Sequence, residues 1–229
     1  MRHEDIRRIN YGYFIRPASE TGTGFAQLEP TLGYAVRYAD GVILFDTGLA
    51  EADPETAEHY RPHRRTPPEA LGDAGIDVND VRWIINSHLH FDHCGGNSFF
   101  PDRPIVVQRV ELESANAVDY TIPSAIEFPS ARYQVVEGEA DVIPHVFVVP
   151  TPGHTDGHQS LVIECDEGTV VCAGQATEFA FQLGGSLLAE TLSDARIDGI
   201  DPAPEWLGRL LELDPHRIVF AHDLSLIEL

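Results

Sequence analysis

Basic residues are scarce in this chain of 229 residues. It holds 15 basic residues, all of them arginines, against 37 aspartates and glutamates, and its formal net charge at pH 7 is −22. A surface with this excess of negative charge repels nucleic acid phosphates and anionic membranes. We therefore expect neither nucleic acid nor a membrane among its partners, and we interpret the acidity as a source of solubility or an adaptation to salt.

Cysteine is scarce as well. The three cysteines are too few for a disulfide framework. Cys165 and Cys172 flank an expected hairpin turn, Asp166-Glu167-Gly168. A turn centred on Glu167 places Val162 opposite Cys172, so a bond between the two cysteines would need an improbable register.

Long apolar runs are absent. No stretch of about 18 apolar residues occurs, so the sequence predicts no membrane-spanning helix. No apolar segment follows the first eight residues, so we expect no secretory signal and a cytoplasmic location. An apolar content of 43% without internal repeats or an evident boundary predicts a single globular domain over residues 1–229.

Short apolar runs bounded by turn residues predict strands that alternate with helices. The expected strands are Tyr34–Tyr38, Val42–Asp46, Arg82–Ser87, Ile105–Gln108, Tyr133–Val136, His145–Val149, Ser160–Glu164, Thr169–Ala173 and Arg217–Ala221. The expected helices are Pro67–Ala74, Arg109–Ala117 and Pro204–Leu213. This order predicts an αββα sandwich, with two sheets inside and helices outside. The polar segment Glu51–Pro68 is either a flap beside an active site or a plain surface connection.

The segment from Ser87 to Gly96 is the most informative part of the sequence. His88, His90, Asp92 and His93 lie within six positions, directly after an apolar run. Imidazole nitrogens and carboxylate oxygens are the ligands that Zn²⁺ and similar divalent metals take. A lone histidine is usually a surface or hydrogen-bonded core residue, but four such side chains together predict that one loop begins two metal sites.

Cys94 follows this cluster directly and could approach the metals. Free cysteines are most often small buried residues, however, and we interpret Cys94 in that way.

The pattern His-x-His-x-Asp-His after an apolar strand resembles the signature of the metallo-β-lactamase superfamily. Three further segments are similar to motifs of that family: Asp46-Thr47-Gly48, Thr151 to Ser160, and Phe220-Ala221-His222-Asp223. Within the superfamily the chain is most similar to the N-acyl homoserine lactonases, from about Gly33 to the C-terminus. The resemblance implies the αββα sandwich of the metallo-β-lactamase type, with two mixed sheets.

The resemblance also implies a ligand set and a cofactor. The cofactor is one or two Zn²⁺ ions, with Mn, Fe, Co or Ni as alternatives. Asp92 is expected to be catalytic as well, because its carboxylate can hold the attacking water. Phe91 either lines the acyl side of the substrate pocket or packs beneath the loop. The implied ligands are His88, His90 and His154 for one ion, and Asp92, His93 and His222 for the other.

Gln175 is a departure from the family pattern. The similar lactonases have an aspartate there that bridges both ions, with two oxygens and a negative charge. A glutamine offers one good ligand oxygen and no charge. Because uncompensated charge is costly to bury, we predict that the second ion binds more weakly here.

Glu178 is a second departure, since the similar lactonases have a tyrosine three residues beyond the aspartate. Two interpretations stay open: the Glu178 carboxylate enters the metal site, or it faces solvent. We count Glu178 and Phe91 as candidate substrate-binding residues.

Three more residues are expected to hold the ligand-carrying loops in place without binding the metal themselves. His158 is expected to steady the loop that carries His154. Asp46 is expected to accept hydrogen bonds near the ligand loop, and Asp223 is either a ligand support or a turn residue.

The leading functional hypothesis is a metal-dependent hydrolase that opens a lactone, such as an N-acyl homoserine lactone (quorum quenching), or a related ester. The expected partner is this small-molecule substrate, and the expected state is a monomer or homodimer. A second hypothesis is a protein of the same fold with little hydrolase activity that binds a ligand or partner, which Gln175 favours. A third is thioester or phosphodiester hydrolysis, and the net charge of −22 disfavours the phosphodiester form.

Overall fold

The structure is a computed structural model that describes residues 1–117, 119–191 and 203–229. The strands in these ranges are β1 (Ile6–Arg16), β2 (Gln27–Tyr38), β3 (Gly41–Phe45), β4 (His63–Arg64), β5 (Val81–Ile85), β6 (Pro104–Gln108), β7 (Arg132–Val136), β8 (Ala140–Ile143), β9 (Val146–Pro150), β10 (Gln159–Cys165), β11 (Gly168–Cys172), β12 (Pro215–Val219) and β13 (Leu226–Glu228). The α-helices are α1 (Pro54–Tyr60), α2 (Pro67–Asp73), α3 (Arg109–Ser114), α4 (Pro123–Ile126), α5 (Ala180–Thr191) and α6 (Glu205–Glu212).

These strands form two mixed sheets. The first has the order β4-β1-β2-β3-β5-β6-β7, and the second has the order β13-β12-β11-β10-β9-β8, counted over the described ranges. In the first sheet β3, β5, β6 and β7 run parallel, whereas β1 and β2 are antiparallel. In the second sheet β11 and β12 are parallel and β10 is antiparallel to β11.

Side-chain alternation along each strand builds the layers, because successive residues of a strand point to opposite faces. In β10, Leu161 and Ile163 lie in the core between the two sheets, where they meet residues of β2 and β3. Val162 points the other way and packs in the cluster that contains Leu207 and Leu210 of α6. Helix α2 covers the outer face of the first sheet in the same manner. The predicted αββα sandwich is confirmed.

Each of the nine expected strands overlaps an observed strand, and the three expected helices correspond to α2, α3 and α6. Elements β1, β4, β8, β13, α1, α4 and α5 were not predicted. Strand β1 escapes a pattern search because its register shifts between Asn10 and Tyr13, which interrupts the alternation. Helix α1 has no buried residue, so it shows no apolar periodicity, although Asp53 caps its start at Thr56 N.

The segment Glu51–Pro68 was interpreted as a flap beside an active site or as a plain surface connection. It contains α1 and β4, and residues of α1 line the large cavity described below. The cysteine register was wrong by one residue, since Cys172 lies opposite Leu161 and not Val162. The conclusion drawn from it stands, because all three cysteines are free.

The topology brings the sequence motifs to one edge of the sandwich. Strands β3 and β5 run parallel, as do β11 and β12, so the segments that follow them leave at matching ends. These segments begin with Asp46, Asn86, Ala173 and Phe220. None of the helices in the described ranges combines the length and apolarity that a membrane crossing requires.

Candidate metal centre

The first group of donor atoms comes from two loops. The His90 Nδ1 atom lies 3.1 Å from His88 Nε2 and 3.0 Å from His154 Nε2. Three nitrogens at about 2.0–2.1 Å from a tetrahedral Zn²⁺ would lie about 3.3 Å from one another. The three imidazoles are therefore arranged as they would be around one cation.

A second group lies beside the first. The His93 Nε2 and His222 Nε2 atoms are 3.1 Å apart, and Gln175 Oε1 lies 3.2 Å from each. The Asp92 Oδ2 atom lies 3.4 Å from His93 Nε2 and 3.5 Å from His222 Nε2. Two nitrogens and two oxygens thus face a common point, with separations close to the edge of a zinc-sized tetrahedron.

Three of the five histidines are held from behind by oxygen atoms. The Nδ1 atoms of His88, His93 and His222 lie 3.0 Å from Ser87 Oγ, 2.9 Å from Asp46 Oδ2 and 2.9 Å from the Pro30 carbonyl. Such contacts fix the ring orientation and leave Nε2 free for a cation.

Asp46 organises the first ligand loop. Its carboxylate accepts hydrogen bonds from Ser87 N at 2.7 Å and Ser87 Oγ at 2.8 Å, in addition to its contact with His93. Its backbone has a φ of 59°, a region that aspartate tolerates better than most residues. The structure thus places Asp46 where the sequence suggested, behind a ligand.

His158 fixes the backbone of Gln175. The Gln175 amide N–H donates to His158 Nε2 at 3.0 Å, and His158 Nδ1 donates to Thr151 Oγ1 at 2.8 Å. The ring must be neutral to accept at Nε2. Burial, together with the positive charge of His93, lowers the pKa of His158 to about 3. His158 therefore steadies the Gln175 segment more directly than the His154 loop.

The electrostatics differ between the two groups of donor atoms. Burial and the neighbouring histidines lower the pKa of His88 far below its usual value. Burial opposes the charge of His93, yet the Asp92 and Asp46 carboxylates raise its pKa to about 10. Burial likewise opposes the charge of Asp92, but His93 and His222 hold its pKa well below the usual range. The carboxylates of Asp92 and Asp46 therefore favour positive charge at the second group.

Members of both groups line a cavity of about 980 Å³: His90 and His154 of the first, and Asp92 and Gln175 of the second. Three aromatic side chains, those of Phe14, Tyr60 and Phe91, line one side of this cavity and are called the aromatic wall below. The Phe14 ring lies edge-on to the His222 ring at 5.6 Å, and the Tyr60 ring lies 5.4 Å from the Phe91 ring. Phe91 lines the cavity and also packs against the core cluster that contains Leu89 and Cys94, so both expectations for it stay open.

Glu178 joins neither donor group of the described chain. Its carboxylate lies 3.4 Å from Arg16 Nη1, and its side chain is 35% exposed. Asp223 proves to be a turn residue, because it accepts hydrogen bonds from Ala180 N and Ser225 N at the start of α5 and in the following turn. Cys94 is fully buried, and its thiol donates to the Leu89 carbonyl at 3.3 Å.

Sequence reasoning missed Glu111, a fully buried carboxylate. It accepts hydrogen bonds from Leu89 N and Thr155 Oγ1, both at 2.7 Å, and from the Tyr120 hydroxyl. Glu111 thereby connects the loop of His88 and His90 to the loop of His154. No motif marks it, because a glutamate in a short amphipathic helix is usually exposed.

It also missed Arg16, which lines the cavity near Asp92. The Arg16 guanidinium forms a two-pronged ion pair with Glu29, with contacts of 2.7 Å and 2.9 Å. The sequence did not single out Arg16 because β1, the strand that contains it, was not predicted.

Comparisons with known proteins agree with this geometry. The family model described as Metallo-beta-lactamase superfamily matches residues 27–222. An N-acyl homoserine lactonase from a Bacillus species is 36% identical, over 60% of this chain and 60% of that protein. The chain thus spans less than two thirds of that relative's length. An N-acyl homoserine lactonase from Bacillus thuringiensis is 32% identical, over 86% of this chain and 82% of that protein.

A solved structure of an N-acyl homoserine lactone hydrolase, with the product N-hexanoyl-L-homoserine at its catalytic metal centre, is also similar. It has a TM-score of 0.77 and 28% identity, and the match covers 98% of this chain and 95% of that chain. The family-model match, the identity to the Bacillus thuringiensis protein and the shared fold lead to one conclusion: this chain belongs to the metallo-β-lactamase superfamily.

Proposed function

We propose that this protein is a metal-dependent hydrolase that opens the ring of an N-acyl homoserine lactone or a closely related ester. The observation that carries the proposal is the pair of donor groups, since members of each line the same cavity. The similar solved structure holds an opened N-acyl homoserine at its metal centre, which supports the choice of substrate.

Zn²⁺ is the proposed cofactor, because imidazole nitrogens dominate both groups and their spacing suits a tetrahedral cation. Mn, Fe, Co and Ni accept the same ligands and are alternatives. When bound, such an ion acts as a Lewis acid and lowers the pKa of water to about 7. His88, His90 and His154 would hold the first ion, and His93, His222, Asp92 and Gln175 the second.

Asp92 is the proposed catalytic residue of the chain. It belongs to the second donor group and also lines the cavity, so its carboxylate faces both the cation site and the substrate. We assign it to orienting the attacking water.

The aromatic wall gives the cavity an apolar side. Phe91, with Tyr60 and Phe14, is suited to bind the acyl chain and to exclude water from the reacting ester. Glu178 is not among the described residues that line the cavity, so we assign it an indirect role in substrate binding, through its contact with Arg16 at 3.4 Å.

Gln175 is expected to weaken binding of the second ion. Its amide oxygen fits the donor group, but it brings none of the negative charge that an aspartate would supply. This observation favours one rival, a protein of the same fold that binds a ligand with little turnover. The intact donor set at the first site opposes that rival.

A ring-opening assay tests the proposal. Zinc-loaded protein, incubated with N-hexanoyl homoserine lactone, is expected to release acid that His90→Ala does not. His145→Ala is a matched control, because His145 is exposed and its ion pair among the described residues is with Glu164, at 2.8 Å. If neither acyl homoserine lactones, γ-lactones nor aryl esters are opened faster than in His90→Ala, the binding function replaces the hydrolase.

A further inference from the structure

Arg16 is the single arginine or lysine among the described residues that line the cavity. The same lining includes five carboxylates, among them Asp92. A guanidinium in such a place either stabilises the sheet or contacts the substrate, and its unused donors decide which role the geometry allows.

Glu29 uses only one side of this guanidinium. Arg16 Nε donates to Glu29 Oε1 at 2.7 Å, and Arg16 Nη2 donates to Glu29 Oε2 at 2.9 Å. The Arg16 side chain is 15% exposed and that of Glu29 is fully buried. A planar guanidinium held at two points has a fixed orientation. The ion pair therefore aims Nη1 rigidly at a point that Glu29 does not occupy.

The neighbour of Nη1 is the Glu178 carboxylate, whose Oε1 lies 3.4 Å away. That separation is longer than an ordinary charge-assisted hydrogen bond. Glu178 thus attracts the guanidinium without saturating the Nη1 donors. These donors remain open to an acceptor that enters the cavity.

The position of Arg16 relative to the donor groups follows from Phe14. The Phe14 ring lies 5.6 Å from the His222 ring, and the Arg16 Cζ atom lies 5.9 Å from the centroid of the same Phe14 ring. Residues 14 and 16 of β1 share one face, since side chains alternate along a strand. The Phe14 ring therefore lies between Arg16 and His222 of the second donor group, and both Phe14 and Arg16 line the cavity.

We infer that Arg16 is a substrate-binding residue whose Nη1 donates a hydrogen bond to the amide carbonyl oxygen of an N-acyl lactone. The inference rests on the proposed function, in which the lactone carbonyl sits at the donor groups. In an N-acyl homoserine lactone only one carbon and one nitrogen separate the lactone carbonyl from the amide carbonyl. When the lactone carbonyl lies at the donor groups, the amide carbonyl oxygen is therefore close enough to accept a hydrogen bond from Arg16 Nη1.

This role predicts a preference that a simple lactone does not share. A lactone with an alkyl chain but no amide offers Arg16 no acceptor. Loss of a hydrogen bond from a charged donor should weaken the amide-bearing substrate about tenfold to a hundredfold. The loss is expected in KM, because the amide does not change during ring opening.

The test compares N-hexanoyl homoserine lactone with γ-decalactone. Arg16→Met alone would leave Glu29 buried without its partner, so the double variant Arg16→Met/Glu29→Gln removes both charges together. Arg16→Lys, which keeps the charge and loses the fixed fork, provides a second variant. Arg64→Met is the control, since Arg64 is a partly buried arginine of the same sheet that donates to the Leu49 carbonyl at 2.8 Å.

The expected result is a KM at least tenfold higher for the amide-bearing lactone in both Arg16 variants, with zinc content and the γ-decalactone KM unchanged. An equal loss for both substrates, or no loss, overturns the inference. Calorimetric titration of the zinc-loaded proteins with N-hexanoyl homoserine lactone separates this inference from the proposed function. If no lactone is opened, weaker binding by the Arg16 variants still supports the contact, and equal binding refutes it.

Discussion

The side-chain oxygen of Gln175 lies 3.2 Å from the Nε2 atom of His222, within the second donor group. The side chain thus points at the cation site and not away from it, and its backbone is fixed there by His158. What the position lacks is charge. Gln175 therefore supplies a ligand oxygen in the position that a second ion would need, but it supplies no negative charge.

Replacement Gln175→Asp is expected to strengthen binding of the second ion. The carboxylate would add one negative charge and a second oxygen to a buried site that is proposed to bind two dications. Zinc per chain, measured after dialysis, should be higher in the variant than in wild type. Gln134→Asp, which adds the same charge at an exposed position, should change nothing. Equal and tight retention of two ions by wild type would show that Gln175 is no deficit.

Replacement His158→Ala should weaken the second site without touching a ligand. The variant removes the acceptor of the Gln175 amide N–H and the donor to Thr151. Loss of such a supporting contact costs about 10–100-fold in metal affinity. Competition with a chromophoric chelator measures this loss. An unchanged affinity for the second ion would mean that the Gln175 segment holds its place without His158.

Replacement Glu111→Ala should be strongly destabilising. It leaves the Leu89 amide and the Thr155 hydroxyl buried without an acceptor, and each costs about 1–3 kcal/mol. Urea unfolding should report a loss of about 3 kcal/mol in the free energy of unfolding. Glu111→Gln keeps one acceptor oxygen and should lose less. If Glu111→Ala unfolds at the wild-type urea concentration, Glu111 does not connect the two ligand loops.

The metal-free protein should lose stability in acid. Burial lowers the folded-state pKa of His158 to about 3, whereas an unfolded histidine titrates near 6.5. The stabilising contribution is therefore complete above about pH 6.5, and it declines as the pH falls toward the folded-state value. At pH 5 the loss from this one group is about 2 kcal/mol. Thermal unfolding with a chelator present should give a lower Tm at pH 5 than at pH 7. A Tm that is equal or higher at pH 5 would contradict the neutral, buried state of His158.

The sequence predicted the parts of this molecule whose signals are local. Strands such as β10 alternate regularly, and the cluster from His88 to His93 is dense enough to mark a site without any structure. His154 and His222 came from the resemblance to a family, since neither lies in a cluster as dense as the one from His88 to His93. The structure then brought their nitrogens to the same two points.

The remaining parts depend on contacts between distant segments. Glu29 is thirteen residues from Arg16 and meets it only because β1 and β2 pair. Glu111 lies in a short helix, and its partners Leu89 and Thr155 belong to two other loops. Neither carboxylate has a neighbour in sequence that reveals its burial, so no local pattern could have singled it out.

A zinc titration is the most direct test of the proposal that the two donor groups form a lactone-opening metal centre. Metal-free protein is titrated with Zn²⁺ while ring opening of N-hexanoyl homoserine lactone is followed by acid release. We expect activity to rise from the chelator-treated baseline as zinc binds, and we expect His90→Ala to stay at that baseline throughout. If wild type binds zinc to saturation and still opens the lactone no faster than His90→Ala, the donor groups do not form a lactone-opening centre.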